Sequence, residues 1–175
     1  MTEQEKIEIF ANYLPYGVKA EMIDYKTDYV GRKYDEIIGI HEWSKNKDWC
    51  LLTDGGSKPS LDRVKLILHP LSDLTNPIKV DGYNDGKEFV PYCMIEDLGL
   101  AKTVSLSFAS VVFSFNLYYG ISISERLSCI KYDLEEEIDK INKLPHSIIK
   151  LLYKWHFDIH GLIEQCLAID INTLK

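Results

Sequence analysis

A chain of 175 residues, 46% hydrophobic and 27% charged, is long enough to bury a proper core and too apolar to stay disordered. Its 20 basic and 27 acidic side chains leave a net charge of −7, which excludes a broad basic footprint for nucleic acid or an anionic membrane. The imbalance lies in the first 100 residues, where 12 Lys/Arg face 18 Asp/Glu, against 8 and 9 in the remainder.

In chain order, Thr2-Glu3-Gln4-Glu5 has the form of a capping box, and Ile7, Phe10, Ala11 and Leu14 follow at helical spacing. Pro15 and Gly17 close that short helix. Strand-like pieces come next: Val18–Met22, "YDEIIGIHEW", "DWCLLT" and the alternating Val64–Leu68, with Asp54-Gly55-Gly56 as a turn and His69-Pro70 as a stop. "PIKV" and "KEFVP" flank Asp81-Gly82 and Asn84-Asp85-Gly86 and read as a hairpin. Between Lys102 and Glu125 no residue is charged, a length that would suit a membrane span. From Val111 to Ile123, however, the odd positions are apolar, and the even ones from Ser110 to Ser124 are mostly Ser or Asn, a period of two that predicts strand. A phase slip near Ala109-Ser110 predicts a bulge or turn, giving either one bent strand or a hairpin. Leu127, Ile130, Leu134, Ile138 and Ile141 form a helical stripe after which Pro145 starts a second helix.

Helix, strands, then helices make an α+β chain: a small antiparallel β-sheet or SH3-like barrel with a short N-terminal helix and C-terminal helices packed against it. The expectation is a single domain over 1–175, mainly β to about residue 98, strands over about 99–126 and helices over about 127–170.

The stretch "KWHFDIH" sets His156, Asp158 and His160 close in sequence. On a helix at about 100° per residue with Leu152 at zero, Ile148, Trp155, Ile159 and Ile163 form one apolar face. His156 then lands at about +40° on that face, His160 at about +80° on its edge, and Asp158 at about −120°, turned away from both. The aspartate joins the histidines only if the helix breaks there. His-x-x-x-His is a real metal spacing, but no third ligand is identifiable, so packing is the expectation and no metal site is assigned.

The remaining constellations are weak. "TDGGSKPS" lacks phosphate-loop spacing and reads as a turn; Glu135, Glu136, Glu137 and Asp139 read as a solvated helix start. Cys50, Cys93, Cys129 and Cys166 are too far apart for a zinc or redox motif, and with no signal-peptide pattern they read as reduced thiols, several of them buried, in a cytosolic protein. No catalytic residue and no cofactor are expected; His41, His69 and Asp73 would be the enzymatic candidates if they met in one cleft. Tyrosine, at 11 residues, is the better hint, because it joins apolar area to a polar tip and favours contact surfaces. The binding residues chosen are Tyr25, Tyr29, Arg32 and Lys33, in a polar, turn-rich stretch.

"ANYLPYGVK", "RVKLILHPLSDLTNPI", "DGKEFVP" and "LLYKWHFDIHGLIEQCLAIDINTL" resemble a family of small uncharacterised proteins from phages and prophages of Bacteroidetes. The resemblance covers most of the chain outside Cys93–Lys143 and carries no activity or site residue across. It implies a setting: a cytoplasmic accessory protein of a mobile element, acting without catalysis on a host or phage protein or on a small nucleotide ligand, as in occluding host machinery or sequestering an antiviral signal. Acidity suits imitation of nucleic acid toward a basic partner. The alternative is nucleic-acid binding in phage replication or regulation, for which only Arg32, Lys33, Arg63 and Lys65 form a local basic set. No membrane partner is expected.

Overall fold

The computed structural model describes residues 1–23, 34–43, 48–100, 102–107, 110–114, 130–131 and 144–174. The protein is α+β, and its chain divides into two compact units: Met1–Pro70 with Tyr153–Lys175, and Leu71–Leu152.

The first unit begins with α1, Glu3–Tyr13. Thr2 Oγ1 accepts from Glu5 N at 3.2 Å and the Glu5 carboxylate accepts from Thr2 N at 2.6 Å, the reciprocal capping box that the sequence predicts. Those same bonds to Thr2 hold the Glu5 carboxyl below its ordinary range. Helix α1 buries Phe10 and Tyr13, and a 3₁₀ turn at Leu14–Tyr16 ends on Gly17 at φ 67°. A Cβ at Gly17 would stand 2.8 Å from Glu36 Oε1, so both backbone and space ask for glycine there.

Four strands follow: β1 Lys19–Met22, β2 Tyr34–Trp43, β3 Asp48–Thr53 and β4 Val64–Leu68. They pair antiparallel in the order β3-β2-β1-β4. A fifth strand, numbered β8 as the last in the chain and spanning Ala168–Asp170, lies parallel beside β4. The sheet is therefore mixed, mostly antiparallel with one parallel strand at its edge. The short Ala168-Ile169-Asp170 falls inside the predicted helical tail and carries no strand signal of its own. The buried side chains of β1 and of the first half of β2 alternate as the pleat requires, with Ala20 opposite Leu66 and Ile37 opposite Thr53, whereas β4 is buried on both faces from Leu66 to Leu68. The outer edge of β3 is not left open: Leu51 N donates to Pro59 O at 2.9 Å and Thr53 N to Ser57 O at 3.1 Å, so the following loop covers it. That loop turns at Gly55, whose N–H donates to the buried Asp35 carboxylate at 2.8 Å.

In the second unit a 3₁₀ turn at Leu71–Thr75 buries Leu74 and Asp73. Ile78 and Phe89 then exchange both backbone hydrogen bonds, at 2.9 and 3.0 Å, which makes the expected hairpin a single antiparallel bridge. Asn84, Asp85 and Gly86 take left-handed φ in its loop. Helix α2, Pro91–Asp97, carries proline in its first turn, where no N–H is needed, and buries Ile95. Strands β5 Lys102–Ser107 and β6 Ser110–Ser114 pair antiparallel, so this part of the uncharged segment is a hairpin; β7, Ile130–Lys131, adds to β6. β7 takes Ile130 and Lys131 out of the predicted helical stripe, since their backbone pairs with β6; the other stripe residues Leu127, Leu134, Ile138 and Ile141, and the rest of the uncharged segment, lie outside the described residues.

Helix α3, His146–Lys154, corrects the second expectation for the tail. It starts after Pro145, as predicted, but stops at Lys154, and residues 155–167 are not helical. Trp155, Phe157 and Ile159 are each at most 2% exposed, as every second residue of an extended run; His156 and His160 are half-buried, and Asp158 is drawn inside as well, at 6%. Phe157 bridges His69 in parallel, with His69 N donating to His156 O and Asp158 N to His69 O, both at 2.8 Å. The apolar stripe read as helix was in part an extended run whose apolar side chains Trp155, Phe157 and Ile159 enter the core.

Of the described cysteines Cys50 is buried, Cys93 half-buried and Cys166 exposed, and none is in a disulfide. Among the described residues no helix is long and apolar enough to cross a membrane.

Candidate functional site

Because α3 ends at Lys154, the condition for joining Asp158 to the histidines is met, and the stretch from Tyr153 to Ile163 becomes the place in the first unit where titratable groups gather. His156 leaves the helix at φ 58°, the left-handed region in which histidine is tolerated better than most side chains. Its Nε2 is 2.8 Å from the Tyr16 carbonyl oxygen. A carbonyl only accepts, so Nε2 carries the hydrogen and donates it to the backbone at the end of the 3₁₀ turn.

Asp158 is 6% exposed. Its Oδ1 accepts from Leu162 N at 2.9 Å and from His160 N at 3.3 Å, and its Oδ2 from Ile163 N at 2.7 Å. These amides belong to a turn that has no internal acceptor for them, and the carboxylate serves as its cap. The left-handed Cys166, at φ 58°, closes the turn through its N–H to Ile163 O at 3.0 Å and directs the chain into β8.

Two phenols complete the cluster. Tyr13, fully buried on α1, donates its hydroxyl to Phe157 O at 2.7 Å. Burial first, then the charge of Asp158 and the neighbouring Tyr153, push its pKa well above the ordinary value. Tyr153 meets Tyr13 edge-on, with ring centroids 4.9 Å apart and planes at 88°. Its hydroxyl is 2.8 Å from His160 Nε2, and burial raises its pKa as well. His160 is shifted down: burial disfavours the imidazolium and outweighs the attraction of Asp158. The ring is neutral at neutral pH and shares one hydrogen bond with the phenol.

The sequence spacing of His156 and His160 suggested one shared helical face, and the structure separates them. One reaches the end of the 3₁₀ turn, the other the Tyr153 hydroxyl. Among the described residues no three His, Cys, Asp or Glu side chains gather to hold a metal ion. His41 is exposed on β2 and His69 is buried after β4, with β1 between the two strands; Asp73 belongs to the second unit, where its carboxylate accepts from Asn76 Nδ2 at 3.3 Å. The chosen binding residues Tyr25, Tyr29, Arg32 and Lys33 lie outside the described residues. Their neighbours in sequence are anchored: Ile23 N donates to Arg63 O at 2.8 Å, and Tyr34 stands opposite Glu21. Tyr13 and Tyr153 were missed as members of the cluster; only the pairing of α1 with the C-terminal stretch, which is not local in sequence, brings them to Phe157 and His160.

No protein-family model, no curated protein and no solved structure matches this chain.

Proposed function

We propose that this protein acts by binding and not by chemistry, as a cytoplasmic accessory protein of a Bacteroidetes phage or prophage that occludes a host protein or sequesters a nucleotide signal. One observation carries the reading. The acid–base side chains gathered around Tyr153–Ile163 are engaged in holding the fold: the Asp158 carboxylate caps a turn, His156 donates to a backbone carbonyl, Tyr13 donates to another, and His160 is bonded to Tyr153. A general base needs its lone pair aimed at a substrate proton, and these groups are aimed at the protein. Outward-facing residues of β2 offer contact area instead, with Tyr34 38% and Ile38 57% exposed.

Native mass spectrometry of the gently isolated protein tests this. A bound protein or nucleotide is expected, retained by His160→Gln and lost in the double variant Tyr34→Ala, Ile38→Ala. A bare chain mass, together with a turnover that vanishes in His160→Gln, would overturn the reading.

A further inference from the structure

On the first unit a dimple of 40 Å³ is floored by Phe10, Leu61, Leu162 and Leu167, with Lys6, Asp62 and Lys65 as its polar lining. That space holds roughly three waters, whose roughly 90 Å³ of liquid volume is the size of one branched aliphatic side chain. Its floor is rigid: Phe10, Leu61 and Leu162 are at most 4% exposed and stand on three separate elements, α1, the 3₁₀ turn at Leu61–Arg63 and the C-terminal turn capped by Asp158.

The charge around the dimple departs from that of the chain. In a protein of net −7, Lys6 and Lys65 line it with Asp62 as the one acid, and Arg63 stands beside the lining as the chain neighbour of Asp62 and Val64. Asp62, 81% exposed, is paired with Lys6, and neither Arg63 nor Lys65 has an ion-pair partner among the described residues. Glu21 is opposite Lys65 in the register of β1 and β4, but no ion pair joins them. An apolar hole for one side chain, bordered by the unpaired Lys65 with Arg63 close by in the chain, fits an aliphatic anchor whose neighbours in sequence are acidic.

We propose that this dimple docks a partner protein through one leucine-sized side chain held in an acidic peptide segment, with Arg63 and Lys65 meeting the flanking carboxylates. The proposal rests on the binding reading above and supplies it with a partner chemistry at a surface distinct from β2.

The test is a titration of the methyl-labelled full chain with three N-acetylated, C-amidated tripeptides: Asp-Leu-Asp, Asp-Ala-Asp and Lys-Leu-Lys. Asp-Leu-Asp is expected to move the methyl signals of Leu61, Leu162 and Leu167 and to saturate at millimolar concentration. Asp-Ala-Asp is expected to bind about tenfold more weakly, the scale of losing a buried isopropyl group. Lys-Leu-Lys should bind no better than the alanine peptide. Lys65→Glu, or Arg63→Glu should the first variant misfold, should weaken Asp-Leu-Asp by a similar factor with the remaining spectrum unchanged. Signals that stay still with all three peptides, or move equally with all three, overturn the docking site. So do methyl shifts that follow protein concentration without peptide, which would assign the dimple to a second copy of the chain. A tripeptide found cleaved at the end of a titration that moved these signals leaves the dock standing and overturns the binding reading instead.

Discussion

His156 combines a left-handed backbone with a side-chain bond to Tyr16 O, and the two effects can be separated by substitution. Alanine loses the bond and keeps the strain that histidine already bears at this φ, so His156→Ala should lower stability by about 1 kcal/mol. Glycine loses the same bond but relieves the strain, and His156→Gly should come out near neutral, about 1 kcal/mol above the alanine variant. Urea midpoints of the two variants measure the difference; equal losses would mean that the backbone is not held left-handed. Gly55 makes a comparable case by contact alone, since a Cβ there would stand 2.4 Å from Asp35 Oδ2. Gly55→Ala should therefore destabilise by about 2 kcal/mol or more, and most of that should disappear in an Asp35→Ala background, where the obstructing carboxylate is gone.

At the scale of elements, the C-terminal stretch is held to α1 and to the sheet edge by groups that titrate, so its attachment depends on pH in two directions. The folded pKa of His160 is below its ordinary value of 6.5. Its contribution is complete above 6.5 and is lost as pH falls from there through the lowered value, because the unfolded chain takes up the proton first. Tyr13 has the opposite shift: its contribution is complete below 10 and is lost as pH rises beyond it, because the unfolded phenol ionises first. Melting temperatures followed across pH should fall at both ends. Tyr13→Phe should flatten the alkaline limb while losing about 1 kcal/mol at neutral pH, where Phe157 O keeps only Ile159 N as a donor. His160→Gln should flatten the limb just below 6.5. Much of this architecture was legible along the chain: the Thr2 capping box, the limits of β2 and β3, the turn at Gly55 and the breaks at Gly17 and Pro145 are local signals and stand where the sequence puts them. The attachment was not. Ile148, Leu152, Trp155 and Ile159 fit a helical stripe, whereas Trp155, Phe157 and Ile159 fit a strand equally well, and only the partner edge offered by His69 decides between them. Once the helix stops, Asp158 turns from an outward residue into a buried cap, so an error in periodicity became an error in chemistry.

For the whole molecule, the first unit is assembled from both ends of the described chain, with residues 71–152 forming a second unit between them. Its sheet is completed only when Ala168–Asp170 pairs in parallel with Leu66–Leu68, contacts that close across about a hundred residues and make the last strand slow to join. β4 depends on that strand. Leu66 and Leu68 are fully buried, and without β8 the row of N–H and C=O groups on that side of β4 would be left without its ladder. Ending the chain at Leu167 also removes the bond from Ala168 N to Leu162 O, which ties the strand to the turn capped by Asp158. With a few hydrogen bonds of about 1 kcal/mol each, the truncated chain should lose about 3 kcal/mol, a large part of the ~5–15 kcal/mol that keeps a domain folded. It should also self-associate through the opened edge. Chemical denaturation beside size-exclusion chromatography measures both effects. A truncated protein that stays monomeric with an unchanged midpoint would show that β8 lies on the sheet without supporting it, and the burial of Leu66 and Leu68 would then have to be maintained by the α1 side of the core alone.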